Sequence, residues 1–174
     1  MTVNMHMNGT MNVFALSFVG GLVGAWLMDL VEARAARLRI TSGVRADLLG
    51  RWVLGLCRGR IRHADVAASP SRPGEAAVGI AFHFLVGGGG VALLYPAALA
   101  CTGIVPPAGH LLGGLVFGLA TSLLPWFVLL PLFGWGVFGR RGPAGSNALL
   151  ASPLSHVPYG LGVGAVVALG LSLR

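Results

Sequence analysis

The chain has 174 residues, of which 55% are hydrophobic, and its mean hydropathy is +0.81. Only 12 residues are basic and 5 are acidic, whereas about a quarter of the residues in a soluble domain are charged. This composition excludes a water-soluble domain, and it excludes a disordered chain, which would be polar and highly charged. We therefore expect a protein that crosses a membrane several times.

The basic residues are unevenly distributed. All twelve are arginines, and nine of them lie between Arg34 and Arg72. In a soluble protein a net charge of +7 would favour nucleic acid as a partner, but in a membrane protein arginines beside apolar spans mark the cytoplasmic side. We therefore expect no nucleic-acid partner, and we expect the loop of residues 32–75 in the cytoplasm and both termini in the periplasm.

Four stretches are long and apolar enough to cross a bilayer, which requires about 20 residues. They cover about residues 13–31, 76–100, 111–138 and 153–173, and we number them spans one to four. No basic residue precedes span one, and arginines follow it, which is typical of a stop-transfer sequence and not of a cleaved signal peptide. The sequence thus predicts one all-α domain over residues 1–174, an integral membrane four-helix bundle.

The long loop after span one contains a further helical pattern. Apolar residues recur at helical spacing from Leu48 to Leu56, and Asp47 stands four residues before Arg51, a spacing at which helical side chains can form an ion pair. The pattern predicts an interfacial amphipathic helix on the inner membrane surface, with Trp52 at the level of the headgroups. Since its arginines would face lipid phosphate, membrane lipids, including those with anionic headgroups, are expected partners.

Glycine spacing predicts closely packed spans. Small residues four apart allow helix backbones to approach each other in lipid, and the pairs at this spacing are Gly20 and Gly24, Gly114 and Gly118, and Gly160 and Gly164. Four consecutive glycines at residues 87–90 should weaken the helix of span two or accommodate a bulky neighbour. A tight bundle is favoured over a glycine-lined pore.

Prolines predict where spans three and four are irregular or begin. Pro125 and Pro131 lie inside span three, so we expect that helix to be kinked or broken. Ser152 followed by Pro153 is typical of a cap and first helical residue, so span four is expected to begin there.

Ionisable residues inside a span are energetically costly and are therefore functional candidates. Asp29 lies near the inner end of span one, His83 lies in span two, and His156 is expected in the first turn of span four. Given the predicted topology, all three belong to the same leaflet, together with polar residues of the loop. The predicted ligand-binding set is Asp29, Arg51, Arg58, His63, Glu75, His83 and His156.

Structural roles are open for the same residues. Asp29 could instead form a structural ion pair with an arginine or a protonated histidine. His83 could be a neutral histidine bonded to a backbone carbonyl, or a proton relay or ligand contact. His156 could contribute interfacial polarity alone, or could help the amides of a helix N-terminus to bind an anion.

A metal or haem site is a weaker alternative. His83, His156, Asp29 and Glu75 are suitable metal ligands by type, and two histidines could hold a haem. However, the sequence has no His-x-x-x-His, paired-cysteine or Glu-x-x-His motif. Metal ligands and cofactors therefore stay unassigned.

An ordered set of motifs resembles a family of small bacterial inner-membrane proteins of unknown function. The resemblance covers roughly residues 15–165, and Phe84 stands where the family has an aromatic residue, often tyrosine. The resemblance implies a four-span bundle in a bacterial cytoplasmic membrane and implies no activity. The motifs are Met28-Asp29, Gly50-Arg51-Trp52, Gly59-Arg60, His63, Pro73-Gly74-Glu75, Gly79, His83, Pro125, Pro131, Gly134, Gly136, His156, Gly160 and Gly162.

Three functions are compatible with the sequence. The leading hypothesis is an ion- or small-ligand-handling component for transport or permeation, with a polar site at the cytoplasmic leaflet. The helix N-termini and arginines there favour an anionic ligand or lipid headgroup. The second is a membrane-embedded enzyme, possibly metal-dependent, that uses histidines and carboxylates on a lipid-like substrate. The third is a structural accessory subunit. A chain of this size is expected to form a homo-oligomer or to join a larger membrane complex.

Overall fold

The computed structural model describes the backbone of residues 2–102 and 109–173 and the side chains of residues 13–101 and 109–173. No strand occurs in these ranges, which confirms the all-α prediction. Two π-helical segments, His83–Gly90 and Pro125–Leu129, interrupt the second and third spans. The α-helices are α1 (Thr2–Ala36), α2 (Ala46–Leu56), α3 (Glu75–Phe82), α4 (Tyr95–Thr102), α5 (Gly109–Thr121), α6 (Leu130–Leu132) and α7 (Ala148–Ser172).

Four helical stretches are long and apolar enough to cross a membrane. They are Val13–Ala36, Glu75–Cys101, Gly109–Leu132 and Ala148–Ser172, with 24 to 27 residues each. At about 1.5 Å per residue, each exceeds the hydrocarbon thickness of roughly 30 Å. These spans support the predicted multi-pass membrane protein.

The first and last spans form the centre of the bundle. α1 and α7 share the most extensive helix contact, and they run antiparallel, because Gly20 packs on Val163 while Gly24 packs on Tyr159. A side chain at Gly24 would collide with the carbonyl oxygen of Tyr159. Gly20 and Gly24, one of the glycine pairs predicted to mediate close packing, therefore lie at this interface.

Spans two and three pack mainly on different members of that central pair. The π segment His83–Gly90 packs on α1, whereas α5 packs on α7 through facing glycines such as Gly114 and Gly160. Spans two and three contact each other at α4 and α5, where the rings of Tyr95 and Phe117 are 5.4 Å apart. Their other halves are separated, and this end of the bundle, where α2 and the arginine-rich loop lie, is called the loop end below.

The predicted loop helix forms, but its surroundings differ from the prediction. α2 packs on α3 with Gly50 and Gly79 in backbone contact. Trp52 is buried in a core that includes Phe133, and its Nε1 donates to the carbonyl of Ile61 at 2.9 Å. The placement of Trp52 at the headgroup level is therefore wrong, because α2 buries this face against protein and not against lipid.

Two predicted boundaries in the second half of the chain are also wrong. The third span ends at Leu132 and not near residue 138, because Gly134 and Gly136 adopt positive φ angles of 89° and 72°. α7 begins at Ala148, where the side chain of Asn147 accepts a hydrogen bond from the amide of Leu150 at 3.2 Å. Ser152 is therefore not the cap.

The earlier start of α7 changes the environment of His156. Pro153 lies inside the helix, and His156 follows Ala148 by eight residues and not by one turn. Its backbone amide is thus too far from the helix N-terminus to belong to an anion-binding turn. The anion-binding interpretation of His156 loses its geometric basis.

Candidate functional site

The seven predicted site residues do not form one site. Arg51, Glu75 and His63 join α2 to α3 and to the loop, whereas Asp29, His83 and His156 line a cavity between the spans. The side chain of Arg58 is exposed at the end of α2 and lies outside both groups.

Arg51 and Glu75 form a saturated ion pair, here called the arginine clamp. Arg51 Nε and Nη2 donate to the two carboxylate oxygens of Glu75 at 2.9 and 2.7 Å. Its Nη1 donates to the carbonyls of Val66, Ala67 and Ser69 at 2.9 to 3.3 Å. The bonds to Glu75 raise the pKa of Arg51. Both charges are therefore compensated within the protein, and the clamp fixes the loop on span two.

His63 lies in the same contact region between the loop and α2. Its Nδ1 lies 2.9 Å from Ser69 Oγ, and that hydroxyl donates to the carbonyl of Asp65. Burial lowers the pKa of His63, and the neighbouring charges of Arg60, Arg72 and Arg51 lower it further. His63 is thus a neutral structural residue of the loop.

A cavity with a volume of about 390 Å³ lies at the loop end between the four spans and α2. Four of its lining residues, here called the mouth, belong to spans two and three and are 42% to 51% exposed. The mouth consists of Ile80, Val86, Leu124 and Val128. The mouth side chains are apolar and lie on two separated spans, so this part of the opening faces the lipid. Asp29 and Arg45 are further lining residues with exposed side chains.

Another wall of the cavity is polar. Asp29 of α1 and His83 of span two bring Oδ1 and Nε2 within 3.0 Å of each other. The contact lacks the alignment of a hydrogen bond, since Nε2 has no hydrogen-bond partner. The predicted alternatives for Asp29 included a histidine partner, and His83 is that partner.

His156 completes this wall from α7. Its Nδ1 lies 2.7 Å from the carbonyl oxygen of Ser152. A carbonyl can only accept, so Nδ1 carries the proton, and Nε2 of the neutral ring is left as a hydrogen-bond acceptor. Three spans thus contribute Asp29, His83 and His156 to one cavity, as the predicted convergence on one leaflet required.

The π segment positions His83 at the cavity. It starts at His83 and includes the four glycines at residues 87–90, where Gly88 packs against Gly21 and Gly89 against the ring of Phe18. The carbonyl of Gly88 accepts a hydrogen bond from the hydroxyl of Tyr159 at 2.8 Å. π segments are frequent at functional sites, and here one changes the helix register beside the cavity.

Sequence reasoning missed Glu32 and Tyr159 as lining residues. Glu32 accepts hydrogen bonds from the hydroxyl and amide of Ser42 at 2.6 and 3.3 Å. Its position three residues after Asp29 places both acids on one face of α1, and this spacing was a signal for it. No local signal pointed to Tyr159, because its role depends on the π segment of another span.

The described residues contain no group of three or more His, Cys, Asp or Glu side chains placed to hold a metal ion. Glu75, one of the proposed metal ligands, is bonded to Arg51 and does not line the cavity. The other three, Asp29, His83 and His156, line the cavity without forming such a group. The arrangement therefore supports binding through hydrogen bonds and charge.

A comparison with protein families bears on this arrangement. The model of the family described as "Protein of unknown function (DUF2938)" matches residues 18–169. The chain belongs to this family. The resemblance inferred from the motifs is confirmed, and the matched range includes every residue that lines the cavity. No curated protein and no solved structure matches the chain. Family membership assigns no activity, so the function must be argued from the site.

Proposed function

We propose that this multi-pass protein binds an amphipathic small molecule that enters sideways from the lipid, as a step in its transport or permeation. The single observation that carries this proposal is the lateral cavity, whose lining combines an apolar mouth with a polar wall. A ligand with an apolar body and a polar head matches both parts. The volume of about 390 Å³ lies within the usual range for small-molecule sites, roughly 300–1,000 Å³.

The surroundings of the cavity support binding from within the bilayer. Val128 of the mouth lies in the π segment Pro125–Leu129, and Leu124 directly precedes it. Irregular backbone at membrane depth is tolerated where it lines a cavity. The polar wall of the same cavity includes Asp29 of α1 and His156 of α7. A ligand could thus keep its tail in lipid while its head reaches these residues.

The proposal includes the orientation and the location of the protein. The arginines between Arg34 and Arg72 favour a cytoplasmic loop end, so the cavity lies in the cytoplasmic leaflet of a bacterial inner membrane. The exposed side chains of Arg58, Arg60 and Arg62 are free to contact anionic headgroups around it. A homo-oligomer or a larger complex would complete a path across the membrane.

Photolabelling tests the cavity directly. The purified protein is placed in liposomes with a long-chain alcohol that carries a diazirine at mid-chain, and the labelled peptides are mapped. We expect labelling at the mouth on both spans two and three. Val128→Trp fills the mouth and should reduce labelling there about tenfold or more, which corresponds to at least about 1.4 kcal/mol of binding free energy.

A matched variant controls for the effect of an added tryptophan. Val116 is a lipid-exposed valine of the same span, 44% exposed against 49% for Val128, and it does not line the cavity. Val116→Trp should leave labelling at the mouth unchanged. Equal labelling in wild type and Val128→Trp, or labelling spread evenly over the lipid-facing surface, would contradict the proposed function.

A further inference from the structure

We infer that the ligand of the lateral cavity carries a positively charged, hydrogen-bond-donating head, as an alkylammonium amphiphile does. This inference rests on the proposed function, since it concerns the head of the molecule proposed to enter through the mouth. It differs from the expectation of an anionic ligand, which depended on arginines and on a helix N-terminus at the site.

The charged groups that line the cavity favour a cation. Asp29 and Glu32 contribute two carboxylates, and Arg45 contributes the one guanidinium among the described lining residues. Arg45 donates from Nε and Nη2 to both carboxylate oxygens of Asp47, at 3.0 Å each. Because Asp47 compensates Arg45 outside the cavity lining, the acidic charges are in excess inside it.

Asp29 is the carboxylate available to a ligand. The side chain of Glu32 is already bonded to Ser42. Asp29 is 47% exposed, and the side chain of His83 is its one ionisable contact within the described residues. That contact is not an aligned hydrogen bond. An ammonium head could therefore take hydrogen-bond positions on Asp29 without breaking an existing hydrogen bond.

The arginines that suggested an anion are used elsewhere. Arg51 already donates hydrogen bonds to Glu75 and to three backbone carbonyls, and it does not line the cavity. Arg58 is exposed outside the cavity. An anionic head beside Asp29 would meet like charge with no free guanidinium opposite, which is unfavourable in a low-dielectric site.

The hydrogen-bonding capacity of the cavity lining also favours a cationic head. The hydroxyls of Thr121, Ser155 and Tyr159 line the cavity, and each donates its hydrogen to a backbone carbonyl. They, the Asp29 carboxylate and Nε2 of His156 can only accept further hydrogen bonds. A head that donates several hydrogen bonds, such as a primary ammonium, fits this set of acceptors.

Aromatic residues add a second attraction for a cation. Trp52, Phe82, Phe84 and Tyr159 line the cavity, and aromatic faces attract ammonium groups. Phe84 contacts the ring of His83, with centroids 5.0 Å apart, so an aromatic side chain lies beside the Asp29–His83 contact. Charge, donor count and aromatic content thus favour the same class of head.

The test compares three amphiphiles of equal chain length as competitors of the photolabel described above. Dodecylammonium, dodecanol and dodecyl phosphate are added at matched mole fractions in liposomes of zwitterionic lipid. We expect dodecylammonium to halve labelling at the mouth at a mole fraction about tenfold lower than either of the others. Asp29→Asn should abolish this advantage and leave competition by dodecanol unchanged.

Asp65→Asn is the matched control. Asp65 lies in the loop outside the cavity and accepts a hydrogen bond from Trp135 Nε1 at 2.9 Å, and an asparagine oxygen can still accept it. This variant loses the same charge but should keep the preference for dodecylammonium. Persistence of the preference in Asp29→Asn, or its loss in Asp65→Asn, would overturn the assignment to Asp29.

The remaining outcomes separate the two proposals. Equal competition by all three amphiphiles would overturn the cationic head while leaving the cavity a binding site. Preference for dodecyl phosphate would overturn it in favour of an anion. If no amphiphile competes and Val128→Trp does not change labelling, the proposed function itself fails.

Discussion

Two acid–base contacts at the loop end of the bundle differ in how completely they are bonded. In the arginine clamp, the side chains of Arg51 and Glu75 are 9% and 11% exposed and donate or accept hydrogen bonds in a bidentate pair. In the cavity, His83 and Asp29 are 27% and 47% exposed and share one unaligned contact. The charges of the clamp are therefore fully compensated by hydrogen bonds within the protein, whereas those of the cavity pair are compensated only in part.

This difference separates structural from functional residues. A buried pair whose donors and acceptors are all used has no capacity for a ligand, and removing one partner leaves an uncompensated charge. A partly exposed pair with unused acceptors can exchange its partner for a ligand at low cost. All four residues belong to the predicted ligand-binding set, and the hydrogen bonds distinguish the structural pair from the pair that a ligand can reach.

The largest expected effect is at the clamp. Arg51→Ala leaves the buried carboxylate of Glu75 without its bidentate partner and frees three backbone carbonyls. We expect a loss of about 3–5 kcal/mol in the free energy of unfolding, measured by reversible unfolding in mixed detergent. Arg58→Ala, at an exposed arginine, should change it by no more than about 0.5 kcal/mol. Similar stability of the two variants would show that the clamp is not structural.

A smaller effect is expected at His63, beside the clamp. Its pKa is lowered from the ordinary value of 6.5, so the unfolded chain takes up a proton at a higher pH than the folded protein does. Stability supported by the neutral ring is complete above the unfolded pKa and declines as the pH falls below it. The wild-type midpoint of thermal unfolding should therefore decrease between about pH 7.5 and about pH 5.5.

His63→Asn tests the source of that decrease. Asparagine can still donate a hydrogen bond toward Ser69 but does not titrate, so the variant should lose about 1–2 kcal/mol at the higher pH through poorer packing. Its midpoint should then depend less on pH than that of the wild type. An unchanged pH dependence would assign the effect to another group.

The smallest effect on stability is expected at the cavity. Asp29→Asn removes one charge from a partly exposed pair, for which the typical contribution is about 0–1 kcal/mol. The same unfolding measurement applies, with Glu75→Gln as the comparison from the clamp, and Glu75→Gln should be clearly the more damaging. A loss at Asp29 as large as that at Glu75 would make the Asp29–His83 contact structural and would remove the distinction drawn here.

The sequence predicted the features that depend on local composition. Apolar length located the four spans, glycine spacing predicted close helix contacts such as the one at Gly24, and Pro125 predicted the irregular segment in span three. The cost of intramembrane charge identified Asp29, His83 and His156, which do share a cavity. Each of these predictions depends on the residues of a single segment of the chain.

The sequence could not predict which of the ionisable residues contact each other in the folded protein. Arg51 was expected to face lipid, but the contact between Gly50 and Gly79 turns it toward Glu75. α7 begins after Asn147 and not at Ser152. His156 therefore lies two turns inside the helix and not in its first turn. The separation of spans two and three follows from how each packs on the central pair, and no single segment encodes it.

The most direct test of the lateral cavity is an experimental structure of the protein extracted with its native lipids. Our account predicts elongated density that enters between Val86 and Val128 and ends within hydrogen-bond distance of Asp29, with the clamp intact and free of ligand. Spans two and three packed together over the mouth, or side chains filling the space beside Asp29, would contradict it.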